Sequence, residues 1–358
     1  MNNLVDIKYI NKNDKNLVDN FVSNNYIRKY VLGINKLTKS VQRFIKIDGI
    51  IDDFTRVQSS RKKSILKIED VPKDSIILYV STGSPLEVKN KLDALGYKHI
   101  SYLSLCKYTT FDLVSPPFIM DFQKDYLDNK KKYQYTFDLL EDEKSKRVFE
   151  KVINFKISFD YNFMQGFTNN FEEQYFDKDL IPKIDNISFI DAGSYVGDTL
   201  PTIIKNFPNF NKIYCIEPND LHLSIAKKNF AQYENIEFIH CGLGKEKILT
   251  KGDNKNTNNC AHDYQASNIN TIDNLINEKV DFIKMDIEGA EQDAIQGAQN
   301  IIQKYTPILA ICIYHKAEDW YKVPEEVLKI NSKYKVYIRH YMEGIFETVM
   351  YFIPSIKK

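Results

Sequence analysis

Three short stretches in the C-terminal half of the sequence gather residues able to do chemistry. Asp191-Ala192-Gly193-Ser194-Tyr195-Val196-Gly197-Asp198 follows an apolar run and precedes a helical pattern. Glycine there lets the backbone approach a ligand closely, at the strand carboxyl ends where open α/β sheets bind ligands. A structural turn could use the same two glycines. Twenty residues after Gly197, Ile216-Glu217-Pro218 ends the next strand in a carboxylate. Such a group can accept hydrogen bonds from both hydroxyls of a ribose; the plainer reading is an acid at the start of the helix that Asn219 and Asp220 open. The third stretch, Val280-Asp281-Phe282-Ile283-Lys284-Met285-Asp286-Ile287-Glu288-Gly289-Ala290-Glu291, sets Asp286, Glu288 and Glu291 around one strand-to-helix turn. Acids at a helix start complement its dipole, which suits Glu291. Asp286 still belongs to the strand end and faces the crevice. Past the following strand, Tyr314-His315-Lys316 supplies a histidine whose ordinary pKa of about 6.5 fits proton transfer near neutrality.

Charge decides which ligand these residues suit. The glycine stretch lacks the G-x-G-x-x-G spacing of a dinucleotide site, and Asp191 stands where a diphosphate would lie. An acid there repels phosphate but tolerates the cationic amino-acid and sulfonium portion of S-adenosylmethionine. A nicotinamide-dependent oxidoreductase is disfavoured on the same ground. A module that holds cofactor or sugar without turnover is the other alternative.

Together, D-A-G-S-Y-V-G, I-E-P-N and I-K-M-D-I-E-G-A-E with its following Q-G-A resemble the FkbM family of S-adenosylmethionine-dependent methyltransferases, over roughly residues 187 to 314. The resemblance implies a class I methyltransferase fold and O-methylation of a sugar or other hydroxyl-bearing product. It also implies that Asp191, Gly193, Tyr195 and Gly197 line the cofactor, that Glu217 holds its ribose, and that Asp286 faces the transferred methyl. The third strand departs from many relatives, ending in His240-Cys241-Gly242-Leu243-Gly244 without an acid for the adenine amino group. His315 or Asp286 is expected to take the acceptor proton as it leaves. Alternatively, Asp286 with Glu288 or His315 could hold magnesium to polarise the acceptor. Gln174-Tyr175-Phe176 could close over the site.

These residues need a sheet to position them. From residue 187 strands alternate with helices, which implies a mostly parallel sheet wound by right-handed crossovers with helices on both faces. Two closing strands joined through Gly344, one expected to be antiparallel, distinguish the methyltransferase form of this sheet from the dehydrogenase form. The methyltransferase domain is assigned to residues 186–358 and a smaller accessory α/β domain to residues 1–185, for acceptor binding or dimerisation. In the latter, Ser75-Ile76-Ile77-Leu78-Tyr79-Val80, a turn with the single Gly83, a helix closed by Gly96 and a second strand form one β-α-β unit. The first 70 residues read as mostly helical, as do residues 121–185.

Composition bounds the rest. With 358 residues, 43% hydrophobic and 27% charged, the chain suits two soluble domains. Its 49 basic and 48 acidic residues leave a net charge of +1, so no global field attracts nucleic acid, and Lys130-Lys131-Lys132 reads as a solvated helix face. The apolar runs, such as Ile308–Tyr314, fall far short of the roughly 20 residues that span a bilayer. The polar amino terminus lacks a secretory pattern, so a cytoplasmic protein is expected, with a sugar or glycoconjugate acceptor and a homodimer as candidate partners. The 5 cysteines form no C-x-x-C pair. Cys260 and His262 could begin a metal site, but no second pair follows at ligand spacing.

Overall fold

The computed structural model describes residues 3–23, 27–53, 65–249 and 268–355. Cys260 and His262 lie outside the described residues. The chain divides into two compact units that interleave in sequence: one takes residues 1–124, 149–169 and 342–346, the other 125–148, 170–341 and 347–358. The single boundary expected after residue 185 therefore falls inside the second unit.

The first unit is built on a parallel sheet of β1 (Lys29–Leu32), β2 (Gly49–Ile51), β3 (Ile65–Leu66), β4 (Ile76–Tyr79) and β5 (Lys98–Ser101), in the order β3-β2-β1-β4-β5. Every residue of β4 is buried, as a strand covered on both faces must be. Helices α1 (Lys12–Val22), α2 (Lys36–Gln42), α3 (Pro85–Ala94) and α4 (Tyr102–Tyr108) accompany it. Their starts are written locally: Asn11 caps α1, Asn35 and Thr38 form a capping box on α2, and Pro85 sits in the first turn of α3. The expected β-α-β unit is present as β4, α3 and β5. The helical reading of the first 70 residues is corrected, since β1, β2 and β3 lie there. They are only two to four residues long, too short for alternation to reveal them.

Helices α5 (Phe122–Leu139) and α6 (Glu143–Ser158) follow, as the helical reading of residues 121–185 expects for its first part; residues 165–185 form turns and irregular chain instead. The second unit is built on strands β6 (Ser188–Ala192), β7 (Lys212–Ile216) and β8 (Ile236–Ile239), then β12 (Phe282–Met285), β13 (Ile308–Cys312), β14 (Tyr334–His340) and β15 (Thr348–Pro354). Between them β9 (Gly242–Leu243), β10 (Ile248–Leu249) and β11 (Asn268–Asn270) form a small separate sheet. The large sheet runs β14-β15-β13-β12-β6-β7-β8, with β15 antiparallel to both neighbours, the expected methyltransferase arrangement. Helices α7 (Leu200–Asn206), α8 (Asp220–Asn229), α9 (Ile272–Leu275), α10 (Glu291–Gln296), α11 (Gln299–Tyr305) and α12 (Asp319–Ile330) make its crossovers and flanks. Phe189 of β6 stacks on Phe282 of β12 at 4.6 Å, and β6, β12 and β13 are buried throughout. The middle of the sheet is thus closely packed where β6, β7, β12 and β13 end side by side.

Candidate active site

All the candidate residues meet at the carboxyl ends of those four central strands, within the second unit. Gly193 leaves β6 at φ +77°, and a Cβ there would lie 1.9 Å from the carbonyl oxygen of Asp286. Only glycine allows β6 and β12 to end this close. The contact is held by the Asp286 N–H, which donates to Ala192 O at 3.1 Å, while Gly193 and Ser194 donate to Ile216 O of β7. Gly197, at φ +79°, packs where a Cβ would press on the Phe230 ring at 3.0 Å. Tyr195 is 50% exposed, with its ring edge-on to His222 at 4.3 Å.

Glu217 is buried beside this turn. One oxygen accepts the Tyr195 N–H at 3.0 Å and the other the Asn219 N–H at 2.8 Å. The carboxylate thus fixes the glycine turn and the start of α8 together. His240, at the end of β8, places Nε2 2.9 Å from Pro218 O.

Asp191 does not reach the crevice. It is fully buried, and its carboxylate pairs with Lys284 Nζ at 2.9 Å across the β6–β12 register. Lys284 also donates to Gly193 O at 2.7 Å. Burial pushes the Asp191 carboxyl up, against the nearby ammonium. Burial also penalises the Lys284 ammonium, yet the charges of Asp191 and Asp286 raise it, so the proton stays on the lysine. Asp191 therefore meets Lys284 and not, as the sequence leads one to expect, a cationic ligand in the crevice.

Asp286 does face the crevice, with its side chain 22% exposed. Its carboxylate accepts from the Tyr175 hydroxyl at 3.0 Å and the Tyr314 hydroxyl at 3.1 Å. Burial and then the Asp286 charge hold both phenols well above their ordinary pKa, so they remain donors. Tyr175 stands at φ +69°, a conformation a bulky residue adopts only when its surroundings impose it. Gln174 donates to the Tyr175 oxygen at 2.9 Å and also to the Glu347 carboxylate. Burial and then the Asp286 charge push Glu347 up to about 7.

His315 is buried between acids. Its Nδ1 lies 3.0 Å from Glu291 Oε1, and its Nε2 lies 3.4 Å from Asp286 Oδ1 and 3.7 Å from Glu288 Oε2. Burial lowers its pKa, but the hydrogen bond and charge of Glu291, with Asp286 and Glu288, outweigh that and push it up to about 9. Glu291 is wholly buried and accepts the Ile287 N–H at 3.0 Å, so it closes the turn into α10 as well as holding His315. Glu288 and Gly289 complete that turn at φ +54° and +96°. Behind Glu291, burial and then the Glu291 charge push Asp319 up to about 7.

Sequence reasoning missed Lys284, Tyr314 and Glu347 at this site. Lys284 had a signal: it is the one charge inside the otherwise apolar strand Phe282–Met285. Glu347 had none, because only folding of the closing hairpin brings it to Gln174. Among the described residues, two sets could share a cation: Asp286, Cys312 and Glu347, and Asp286, Glu291 and His315. One contains a thiol and the other an imidazole, so neither is the all-oxygen shell that magnesium prefers.

Comparison with known proteins extends this geometry. The family profile described as the methyltransferase FkbM domain matches residues 125–337, more than half of the chain. A solved FkbM methyltransferase from Methylobacillus flagellatus KT superposes with a TM-score of 0.78 at 22% identity, covering 97% of this chain and 95% of that one. An rRNA methylase from Streptococcus thermophilus gives a TM-score of 0.34 at 15% identity, covering 49% of this chain and 90% of that chain. A methyltransferase from Aquifex aeolicus gives 0.32 at 16% identity, with 55% and 98% covered. Those two scores are too low to bear on the assignment. No curated protein matches. No helix of the described residues is long and apolar enough to cross a membrane.

Proposed function

The chain belongs to the methyltransferase FkbM family, and on that premise we propose that it moves the methyl group of S-adenosylmethionine to a hydroxyl of a saccharide, on a glycan or glycoconjugate. The observation that carries this reading is Asp286. It is a crevice-facing carboxylate set by Tyr175 and Tyr314 and placed against the Gly193 turn.

The crevice fits the cofactor. Gly193 and Gly197 leave backbone room that a Cβ would fill, and Glu217 presents a carboxylate whose orientation two amides fix. Gly193, Tyr195, Gly197 and Glu217 would hold it, with Glu217 on the ribose hydroxyls. Asp191 would act from beneath, through Lys284 and the Gly193 carbonyl. When bound, S-adenosylmethionine supplies a methyl group activated by a sulfonium, and alignment of the acceptor contributes most of the acceleration.

The protein's own task is to orient the acceptor hydroxyl and take its proton. We assign the proton to Asp286. The acids around His315 push it up to about 9, which holds it mainly as an imidazolium at neutral pH and favours Asp286 as the group that takes the proton. His315 acts instead by holding Asp286 in place. The donor sets do not fit magnesium, so no step is given to a metal; a chelator is expected to leave the rate unchanged. Loss of activity in EDTA with recovery on adding Mg²⁺ would reverse that assignment.

The test is calorimetric titration with S-adenosylmethionine and with NAD(H), on wild type and Glu217→Ala, followed by transfer of labelled methyl to a panel of sugars. Binding of S-adenosylmethionine alone, weakened in the variant, with label appearing on a sugar, is the expected result. Binding of NAD(H), or label on no saccharide, would overturn the cofactor or the acceptor respectively.

A further inference from the structure

The first unit carries a group of ionisable and polar side chains that methyl transfer does not use. Strand β5 is the edge of its sheet, and beside it a cleft of about 530 Å³ opens between α1 and α3. Small-molecule sites commonly run to ~300–1,000 Å³. An inner pocket of about 20 Å³, lined by Tyr79 and Tyr161, shares Asp14, Lys89, His99 and Asn162 with the cleft.

The hydrogen bonding here is incomplete in a specific way. Asp160 is well supplied, by Tyr9 at 3.0 Å, Asn11 at 2.8 Å and the Asn162 N–H at 2.9 Å. Asp14 is not: Ser104 donates to Oδ2 at 2.7 Å, and Oδ1 has no partner among the described residues. Tyr161 is 7% exposed and lines the inner pocket, and its hydroxyl likewise has no hydrogen-bond partner among the described residues. Neither oxygen is among the fully buried ones that lack a partner, so both keep accessible surface that a bound molecule can reach. The opposite wall is fixed: Asp93 holds Lys89 at 2.8 Å and His99 Nε2 at 2.9 Å.

Charge narrows the ligand. Asp14 and Asp160 oppose a phosphate, and Lys89 opposes an organic cation. What remains is a neutral molecule that presents donors and acceptors side by side, as adjacent hydroxyls of a sugar do. We propose that this cleft binds a neutral saccharide, one hydroxyl donating to Asp14 and neighbouring oxygens accepting from Lys89 and Tyr161. The cleft is lined by residues of the first unit alone and the methyl-transfer crevice by residues of the second, so the proposal does not depend on what that crevice methylates.

Saturation-transfer NMR on the full chain, with D-glucose, D-galactose, L-rhamnose and maltose as probes, tests this directly. At least one sugar should receive saturation, and its affinity should fall about fivefold in Tyr161→Phe, the value of roughly one neutral hydrogen bond. Asp14→Asn should weaken it further, whereas Asp286→Asn, which disables the other site, should leave it unchanged. If Asp14→Asn fails to fold, Tyr161→Phe alone decides. Absence of saturation for every sugar, or equal binding in Tyr161→Phe, overturns the proposal. Loss in Asp286→Asn would move the sugar to the methyl-transfer crevice, and displacement by inorganic phosphate or spermidine would mean a charged ligand; either also overturns it.

Discussion

His315 ionises against Asp286, Glu288 and Glu291, and its held proton has consequences that can be measured. Its pKa rises from 6.5 unfolded to about 9 folded, so the native state prefers the protonated form. The stability this supplies is complete below pH 6.5 and is lost as pH rises through 9. At the ordinary conversion it amounts to about 3 kcal/mol. Asp319 and Glu347, raised to about 7, act with the same sign at lower pH. The melting temperature is therefore expected to fall between pH 6 and pH 9.5, and the fall should shrink in His315→Gln. An equal fall in the variant would mean that the imidazole is not the group responsible. For catalysis, Asp286→Asn should lower kcat by about 10²- to 10⁴-fold, the usual range for a lost acid or base. His315→Ala should lower kcat with little change in the Kd for S-adenosylmethionine. If His315→Ala kept full activity, its positioning role would be gone.

At the scale of elements, the site depends on β6 and β12 ending against one another. Gly193→Ala would put a methyl into the Asp286 carbonyl, at a φ that L-residues avoid. It should cost more than about 1 kcal/mol and abolish cofactor binding; a variant that binds normally would show that the turn can move. Lys284→Met strands Asp191 without its counter-charge, at an expected cost of about 3–5 kcal/mol. Adding Asp191→Asn should recover much of that loss in a denaturant melt. Additive losses would mean that the pair is not coupled.

The glycine turn, Glu217 and Asp286 were legible because strand, turn and helix signals lie next to one another in the chain. The antiparallel β15 was legible for the same reason, through Gly344. Glu347 comes near Asp286 from a remote segment that no local spacing announces, and Tyr175, expected over the site, was not legible as a hydrogen-bond donor to Asp286. Asp191 was legible as a site residue but not in its role, because its partner Lys284 lies 93 positions later in the chain. Strands as short as Gly49–Ile51 carry too few residues to display a period.

For the whole molecule, interleaving changes how the protein can be divided. A fragment of residues 186–358, cut where the sequence suggests, lacks residues 125–148 and 170–185 of its own unit, and with them Tyr175. It is expected to show no cooperative melt, whereas the full chain should; a sharp transition in the fragment would restore the simpler boundary. Residues 342–346 bear on synthesis as well. Glu343 belongs to the first unit, and its carboxylate accepts the Leu86 and Glu87 N–H groups at the start of α3, both at 2.9 Å. That helix is translated more than 250 residues before its cap, as the separation of 257 positions between Leu86 and Glu343 requires. A domain emerging from the ribosome ordinarily completes itself before the next begins. Here the earlier unit must wait, its helix uncapped, until the closing hairpin of the later one has left the ribosome.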